Sequence, residues 1–180
     1  QALCVAFDRR EPTFRHLSYE GYKAQRKPMP DDLAVQMPLL KETLDAMHIR
    51  RLEAEGWEAD DVLGSVAAKC EKSGWECEIV TGDKDSFQLI TDTTSVLHVK
   101  TRMGQTETIL YDKARFTEEY GFAPPLMVDL KALMGDASDN IPGVPGIGPK
   151  TATKLLQTYG SMEGIYEHVG ELKGKQKENI

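Results

Sequence analysis

Apolar residues recur along this chain at two spacings, and each spacing predicts an element. Residues 2–7, ALCVAF, form a continuous apolar run of strand length, as expected for a buried parallel strand, and Asp8 ends it. Leu33, Met37, Leu40, Leu44 and Met47 return every three or four positions, which predicts a helix over 31–47 with Asp31 as its N-cap. A short strand follows at 49–52. Ala59, Val62, Leu63, Val66, Ala67 and Cys70 make the one-sided stripe of a helix packed on a core, and Lys72-Ser73-Gly74 stops it. Next come a strand around 77–80, a helical turn carrying Phe87, Leu89 and Ile90, and a strand through Val96, Leu97 and Val99. Residues 102–105 read as a hairpin tip and 108–111 as the return strand. Asp112 caps a short helix that Gly121 ends. Pro124-Pro125 starts another, with Leu126, Leu130, Leu133 and Met134 facing inward. Pro149 opens a last helix through Leu155 and Leu156 to Gly160. Strands alternating with helices predict an α/β fold with a mostly parallel central sheet flanked by helices.

The length of 180 residues suits one domain with a small appendage, and no segment approaches a membrane span. Cys4, Cys70 and Cys77 lie in apolar patterns without ligand spacing, so they read as reduced core residues of a cytoplasmic protein. The net charge of −7 looks unfavourable for a nucleic-acid binder, but its distribution is uneven. Eight acids are candidates for one metal site: Asp8, Glu58, Asp60, Asp61, Asp83, Asp85, Asp136 and Asp139. Without them 21 acids face 22 bases, so the remaining surface can meet a phosphate backbone.

The densest acidic cluster lies in EGWEADDVLG, residues 55–64. Glu58, Asp60 and Asp61 fall in the first turn of the predicted helix. A helix N-terminus favours one acid by about 0.3–1 kcal/mol, which three crowded carboxylates exceed in mutual repulsion unless a cation joins them. A hard divalent ion with oxygen ligands suits them. Asp83 and Asp85, in TGDKD, follow a strand. In a parallel sheet strands end on the edge where helices begin, so both clusters are expected to face one crevice. The plain alternative is a solvated acidic rim. Asp136 and Asp139 are three apart, which puts them on one face of a helical segment.

Residues 9–30 differ in kind. Arg9, Arg10, Arg15, His16, Tyr19, Tyr22, Lys23, Arg26 and Lys27 interleave bases with aromatics, as suits a nucleic-acid strand, and no apolar face ties the segment down. It reads as a mobile surface element, with a solvated basic loop as the alternative. The run IPGVPGIGPK, residues 141–150, carries three glycines and three prolines ahead of a helix N-terminus. Bare amides there suit a phosphate, with Lys150, Thr151 and Thr153 in support; a turn built only for packing is the alternative.

Five of these stretches occur together and in order: FD followed by TFRH, YKAQR, EGWEADDVLG, TGDKD and LMGDASDNIPGVPGIGPKTA. They resemble the 5′ nuclease domain of bacterial DNA polymerase I, a branch of the flap-endonuclease superfamily, over nearly the whole chain. The resemblance implies a PIN-like catalytic domain over 1–134 with an arch at 9–30. It implies a helix–hairpin–helix-like (helix-three-turn-helix) DNA-binding subdomain over 135–180. It implies a 5′-3′ exonuclease and flap endonuclease acting in replication and repair in the bacterial cytoplasm as a monomer. The eight acids then hold two or more Mg²⁺ or Mn²⁺ ions. These activate a water and hold the attacking and leaving oxygens in line. Tyr22, Lys23 and Arg26 match the arch, with Lys23 and Arg26 at the scissile phosphate. Arg15, Tyr19, Gly143, Val144, Gly146, Ile147, Gly148, Lys150 and Thr151 are the DNA-contacting candidates, with K⁺ at the hairpin. The partner is a 5′ flap or a nicked or branched duplex, alongside a linked polymerase domain. The family's opening strand, with its metal-binding Asp, is expected to precede this chain, and the domain to run past its end.

Two other classes compete. A phosphatase of the haloacid dehalogenase kind shares a strand-end Asp and a TGDKD-like motif, but needs a second Asp where this chain has Arg10. A truncated, non-catalytic DNA-binding module keeps the same surface without cleavage.

Overall fold

The computed structural model describes residues 2–180, which divide into two compact units. The first is Gln1–Val66 with Ser138–Asn140, and the second is Ala67–Ala137 with Ile141–Ile180.

In the first unit the apolar run at the start gives strand β1 (Cys4–Ala6). Helices α1 (Phe14–Ser18), α2 (Asp31–Ala34) and α3 (Gln36–Ala46) follow, then strand β2 (Arg50–Leu52). β1 and β2 pair in parallel, with Val5 opposite Arg51. The single helix expected over 31–47 is broken at Val35. Pro38 has no N–H for the Ala34 carbonyl and its ring crowds that oxygen, so the chain starts a new helix one turn earlier. The expected burial also differs. β1 is half-buried, and of the predicted inner face of α3 Leu40 and Met47 are 45% and 62% exposed. Among the described residues of this unit only Thr13 and Tyr22 are buried. Two strands of three residues offer too little surface to cover a helix; the packed point of the unit is a tyrosine from the 9–30 segment.

Helix α4 (Ala59–Lys72) begins in the first unit. Only Ala67 of its apolar stripe is buried, while Val62, Leu63, Val66 and Cys70 are half-buried. Strand β3 (Cys77–Thr81), a 3₁₀ turn at Lys84–Leu89, and strands β4 (Thr94–Arg102) and β5 (Gln105–Tyr111) follow. β3 and β4 run parallel, with Ile79 opposite Val96; β4 and β5 are antiparallel and turn at Met103-Gly104, both with positive φ, the two-residue geometry that matches strand twist. The remaining helices are α5 (Lys113–Tyr120), α6 (Met127–Met134), α7 (Pro149–Tyr159), α8 (Met162–Glu167) and α9 (Lys175–Asn179). Asp112 caps α5 by accepting from the Arg115 N–H, and Gly121 closes it in the left-handed conformation. The core of this unit is aromatic. Phe87 is fully buried, with its ring 4.5 Å from Tyr111 and 5.9 Å from Phe116. Phe116 in turn stacks on Tyr120 at 4.4 Å. Leu130, Leu133, Leu155, Leu156 and Ile165 complete the packing.

Candidate active site

The start of α4 carries the acids of the first unit, and their first task is to cap the helix. Asp61 Oδ2 accepts from the Glu58 N–H at 2.9 Å, and Asp8 Oδ1 accepts from the Ala59 N–H at 2.7 Å. Two helix-start N–H groups that have no partner inside the helix are thereby satisfied. Asp8 comes from the far end of β1, so the strand-end acid and the helix-start acids share one place, as their positions in the sequence predict.

The 9–30 segment is pinned onto these acids. Thr13 and His16 close a capping box at the head of α1, which aims Arg15. Arg15 grips Asp61 with two hydrogen bonds of 2.7 Å and lies 3.6 Å from Glu58 Oε2. The Tyr22 hydroxyl donates to Glu58 Oε2 at 2.8 Å, and Lys23 Nζ donates to Glu58 Oε1 at 2.6 Å. Arg26 pairs with Asp139, whose other oxygen is 4.0 Å from Lys23 Nζ. Tyr22 thus sits at 5% exposure rather than on the surface. A buried phenol needs a partner for its hydroxyl, and Glu58 supplies one, while residues 24–30 of the segment are exposed.

The charges follow from these contacts. The Arg15 hydrogen bonds hold the Asp61 carboxyl below its ordinary range and keep the guanidinium charged. Burial, then the hydrogen bond to Glu58, pushes the Tyr22 phenol well up, so it stays protonated and donates.

In the second unit a separate set forms. Asp83 caps the 3₁₀ turn by accepting from the Asp85 N–H at 2.9 Å. Asp85 and the buried Asp136 both reach Lys131 Nζ, at 2.7 and 2.6 Å. Burial raises the Asp85 carboxyl, while the two carboxylates outweigh the burial of Lys131 and raise its ammonium. Lys131 was not among the sequence candidates, because nothing in its local pattern marks it apart from any other helix lysine. Asp136 and Asp139 do not share a helical face. Gly135, at φ 75°, ends α6, and the two acids lie in a turn closed by a bridge between Asp136 and Ile141. Asp136 goes to Lys131 and Asp139 to Arg26.

The glycines of the hairpin have different tasks. A Cβ on Gly143 would collide with the backbone of Gly135 and Met134, so this glycine serves close packing. Gly146 turns the chain at φ 81°. A Cβ on Gly148 meets open space. Ile147 is buried beneath the hairpin, Val144 bonds to the Leu133 carbonyl at 2.8 Å, and Thr151 is half-buried. Gly148 begins α7 without a side-chain cap, leaving amides at a helix N-terminus with exposed Lys150 beside them.

Asn140 is a second residue that the sequence reading passed over. Its amide donates to the Gly21 carbonyl at 2.8 Å, and its own carbonyl accepts from the Tyr19 hydroxyl at 3.2 Å. The available signal was an Asn inside a Gly- and Pro-rich turn, the residue type that most readily takes positive φ after glycine. Lys23 has φ 54°, at a cost of roughly 1–2 kcal/mol for a residue with a Cβ.

The donor chemistry of Asp8, Glu58, Asp60, Asp61 and Asp139, and of Asp83, Asp85 and Asp136, is all carboxylate oxygen, which fits a hard divalent ion. Glu58, Asp61, Asp85, Asp136 and Asp139 are turned toward bases, while Asp8 and Asp83 accept from backbone N–H groups. Among the described residues no three acidic, His or Cys side chains are gathered as a metal ion requires. Cys4, Cys70 and Cys77 are free thiols, half-buried rather than in the core. Among the described residues no helix is long and apolar enough to cross a membrane.

A family model described as "5′-3′ exonuclease, N-terminal resolvase-like domain" matches residues 1–121, and "5′-3′ exonuclease, C-terminal SAM fold" matches residues 122–180. The chain belongs to the 5′-3′ exonuclease family. Among individual proteins it is 47% identical over 174 residues to DNA polymerase I of Bacillus subtilis, covering 97% of this chain and 20% of that one. It is 47% identical over 179 residues to the thermostable DNA polymerase I of Thermus aquaticus, covering 99% of this chain and 21% of that one. The chain therefore spans about a fifth of the length of these relatives. Among solved structures, T5 5′-exonuclease with bound divalent zinc ions superposes with a TM-score of 0.78 at 24% identity, over 99% of this chain and 69% of that one. The catalytic core of Rad2 in complex with DNA substrate superposes with a TM-score of 0.62 at 18% identity, over 97% of this chain and 53% of that one. These two likenesses are of fold.

Proposed function

We propose that this chain is the nuclease part of a longer protein with a linked polymerase domain. It acts as a structure-specific 5′-3′ exonuclease and flap endonuclease in DNA replication and repair. The observation that carries the reading is the array of Arg15, Tyr22, Lys23 and Arg26 on Glu58, Asp61 and Asp139, which draws on both regions matched as 5′-3′ exonuclease.

Lys23 is the group we assign to the scissile phosphate. Its ammonium is partly buried and already balanced by Glu58, so exchanging that carboxylate for a phosphate oxygen leaves no buried charge unpaired. Tyr22, held protonated, keeps Glu58 oriented. Arg26 and Arg15 are the neighbouring cations for the 5′ single strand, with Tyr19, 43% exposed, offering a ring to a base. The eight carboxylates are the residues that would hold divalent ions, Mg²⁺ or Mn²⁺, which when bound supply an activated water and neutralise the phosphate. Water attacks phosphorus, the bond to the 3′ oxygen breaks, and the products are a 3′-hydroxyl and a 5′-phosphate. The uncapped start of α7, with Gly148, Lys150 and Thr151, is the site for a duplex phosphate, with K⁺ as its companion ion.

The test is a labelled 5′-flap duplex incubated with the full-length protein in Mg²⁺, in Mn²⁺ or in EDTA. Cleavage at the flap base with either ion and none in EDTA is expected. A second reading, a binding module without catalysis, takes support from the pairing of Glu58, Asp61 and Asp139 with the chain's own bases. Metal-independent binding of the flap without cleavage would favour it.

A further inference from the structure

Lys23 cannot hold its place through its side chain alone. Its backbone is left-handed, and neither Lys23 nor its neighbours Tyr22 and Ala24 lie in a helix or strand that would impose that geometry. Local turn bonds from the Tyr22, Ala24 and Arg26 N–H groups to the Tyr19, Gly21 and Lys23 carbonyls shape the tip, and the turn at 138–140 restrains it from outside. The Lys23 N–H donates to the Asp139 carbonyl at 2.9 Å, and Arg26 Nε donates to the Ser138 carbonyl at 3.2 Å. Asn140 adds two contacts on the other side of Lys23. It donates through its amide to the Gly21 carbonyl and accepts through its own carbonyl from Tyr19. Its own φ of 59° is one that Asn takes at small cost. The tip at 19–23 is therefore fastened on both sides of Gly21, and Asn140 supplies a side-chain amide to that fastening.

We infer that Asn140 is a positioning residue: by holding Gly21 and Tyr19 it sets the left-handed turn at Lys23 and so aims the Lys23 ammonium. This rests on the nuclease reading for its effect on turnover, but the fastening itself does not. Asn140 touches neither a phosphate nor an ion in this role. Its influence passes through the backbone of the tip, which predicts that its loss adds nothing to the loss of Lys23.

The experiment uses Asn140→Gly and Asn140→Asp in the full-length protein. Both keep a residue tolerant of positive φ, and both remove the amide donor. Trypsin cleavage after Lys23 and Arg26 reads the fastening without any nuclease assay. It is expected to rise about tenfold in both variants, since a released tip is open to the protease for a larger fraction of time, while the thermal midpoint of the whole protein stays put. In the flap assay, turnover of bound substrate is expected to fall about tenfold with little change in DNA affinity. Asn140→Gly added to Lys23→Ala is expected to cost nothing more, because residues that act through one another are not additive. Unchanged trypsin cleavage would overturn the fastening. A loosened tip with losses that multiply in the double variant would overturn action through Lys23. A loosened tip in a parent protein that cuts no flap would instead overturn the nuclease reading and leave the fastening standing.

Discussion

Arg15 meets Asp61 fork to fork, with both nitrogen–oxygen distances at 2.7 Å, while the same Asp61 carboxylate accepts from the Glu58 N–H. One acid thus serves a helix start and a guanidinium together. Replacing Arg15 with Met should let the Asp61 carboxyl return to its ordinary range and lower stability by about 1 kcal/mol, since a part-exposed pair is discounted by solvent. A carboxyl-detected titration and a thermal melt check this. Asp61→Asn should abolish flap cleavage while DNA binding in EDTA stays equal or tightens. Full cleavage in that variant would remove Asp61 from the metal-binding set.

Lys23 stands 2.6 Å from Glu58 Oε1 and 4.8 Å above the Tyr22 ring. If its charge moves to the scissile phosphate, Lys23→Ala should lower single-turnover cleavage by about 10²-fold, the scale of losing one transition-state donor. The dissociation constant for flap DNA should stay within about twofold. A variant that binds poorly but cuts normally once saturated would place Lys23 among the binding groups instead.

The hairpin glycines separate fold from binding. Gly148→Val faces open space, so its melt should match the parent while duplex binding weakens by about tenfold through loss of close backbone approach. Gly143→Ala meets the backbone of Gly135 and Met134 and should destabilise by about 1–3 kcal/mol. Equal melts for both variants would contradict this division.

Tyr111 is buried and donates to Glu119 Oε2 at 2.8 Å. Burial, then that hydrogen bond, pushes its phenol from 10.0 up to about 12. The folded state keeps this proton after the unfolded state has released it. Its contribution is therefore complete below about pH 10, and it declines as pH rises toward 12. Tyr111→Phe should cost about 1 kcal/mol at pH 8 and flatten the alkaline loss between those values. Denaturant melts at pH 8, 10 and 11 read the slope directly.

Much of the local structure was legible in the residues themselves. The apolar period of α4, the Asp112 cap, Gly121 and Gly160 as helix stops, Pro149 at a helix start and the turn at Met103-Gly104 are local steric facts, and the elements form where they predict. The five acidic and basic motifs were equally plain, because charge clusters of that density are visible without a fold. Tertiary structure alone decided which partner each charge takes. Asp136 and Asp139 are three residues apart, yet one turns to Lys131 and the other to Arg26, because Gly135 ends the helix that would have kept them on one face. Tyr22 reads as a surface aromatic by composition and is buried because Glu58, 36 residues away, accepts its hydroxyl. Asn140 matters through Gly21, 119 residues distant. Helix caps and turns are set by a few neighbouring dihedrals. Pairings between distant polar groups depend on which backbone atoms the completed fold brings within about 3 Å, a distance no local pattern encodes.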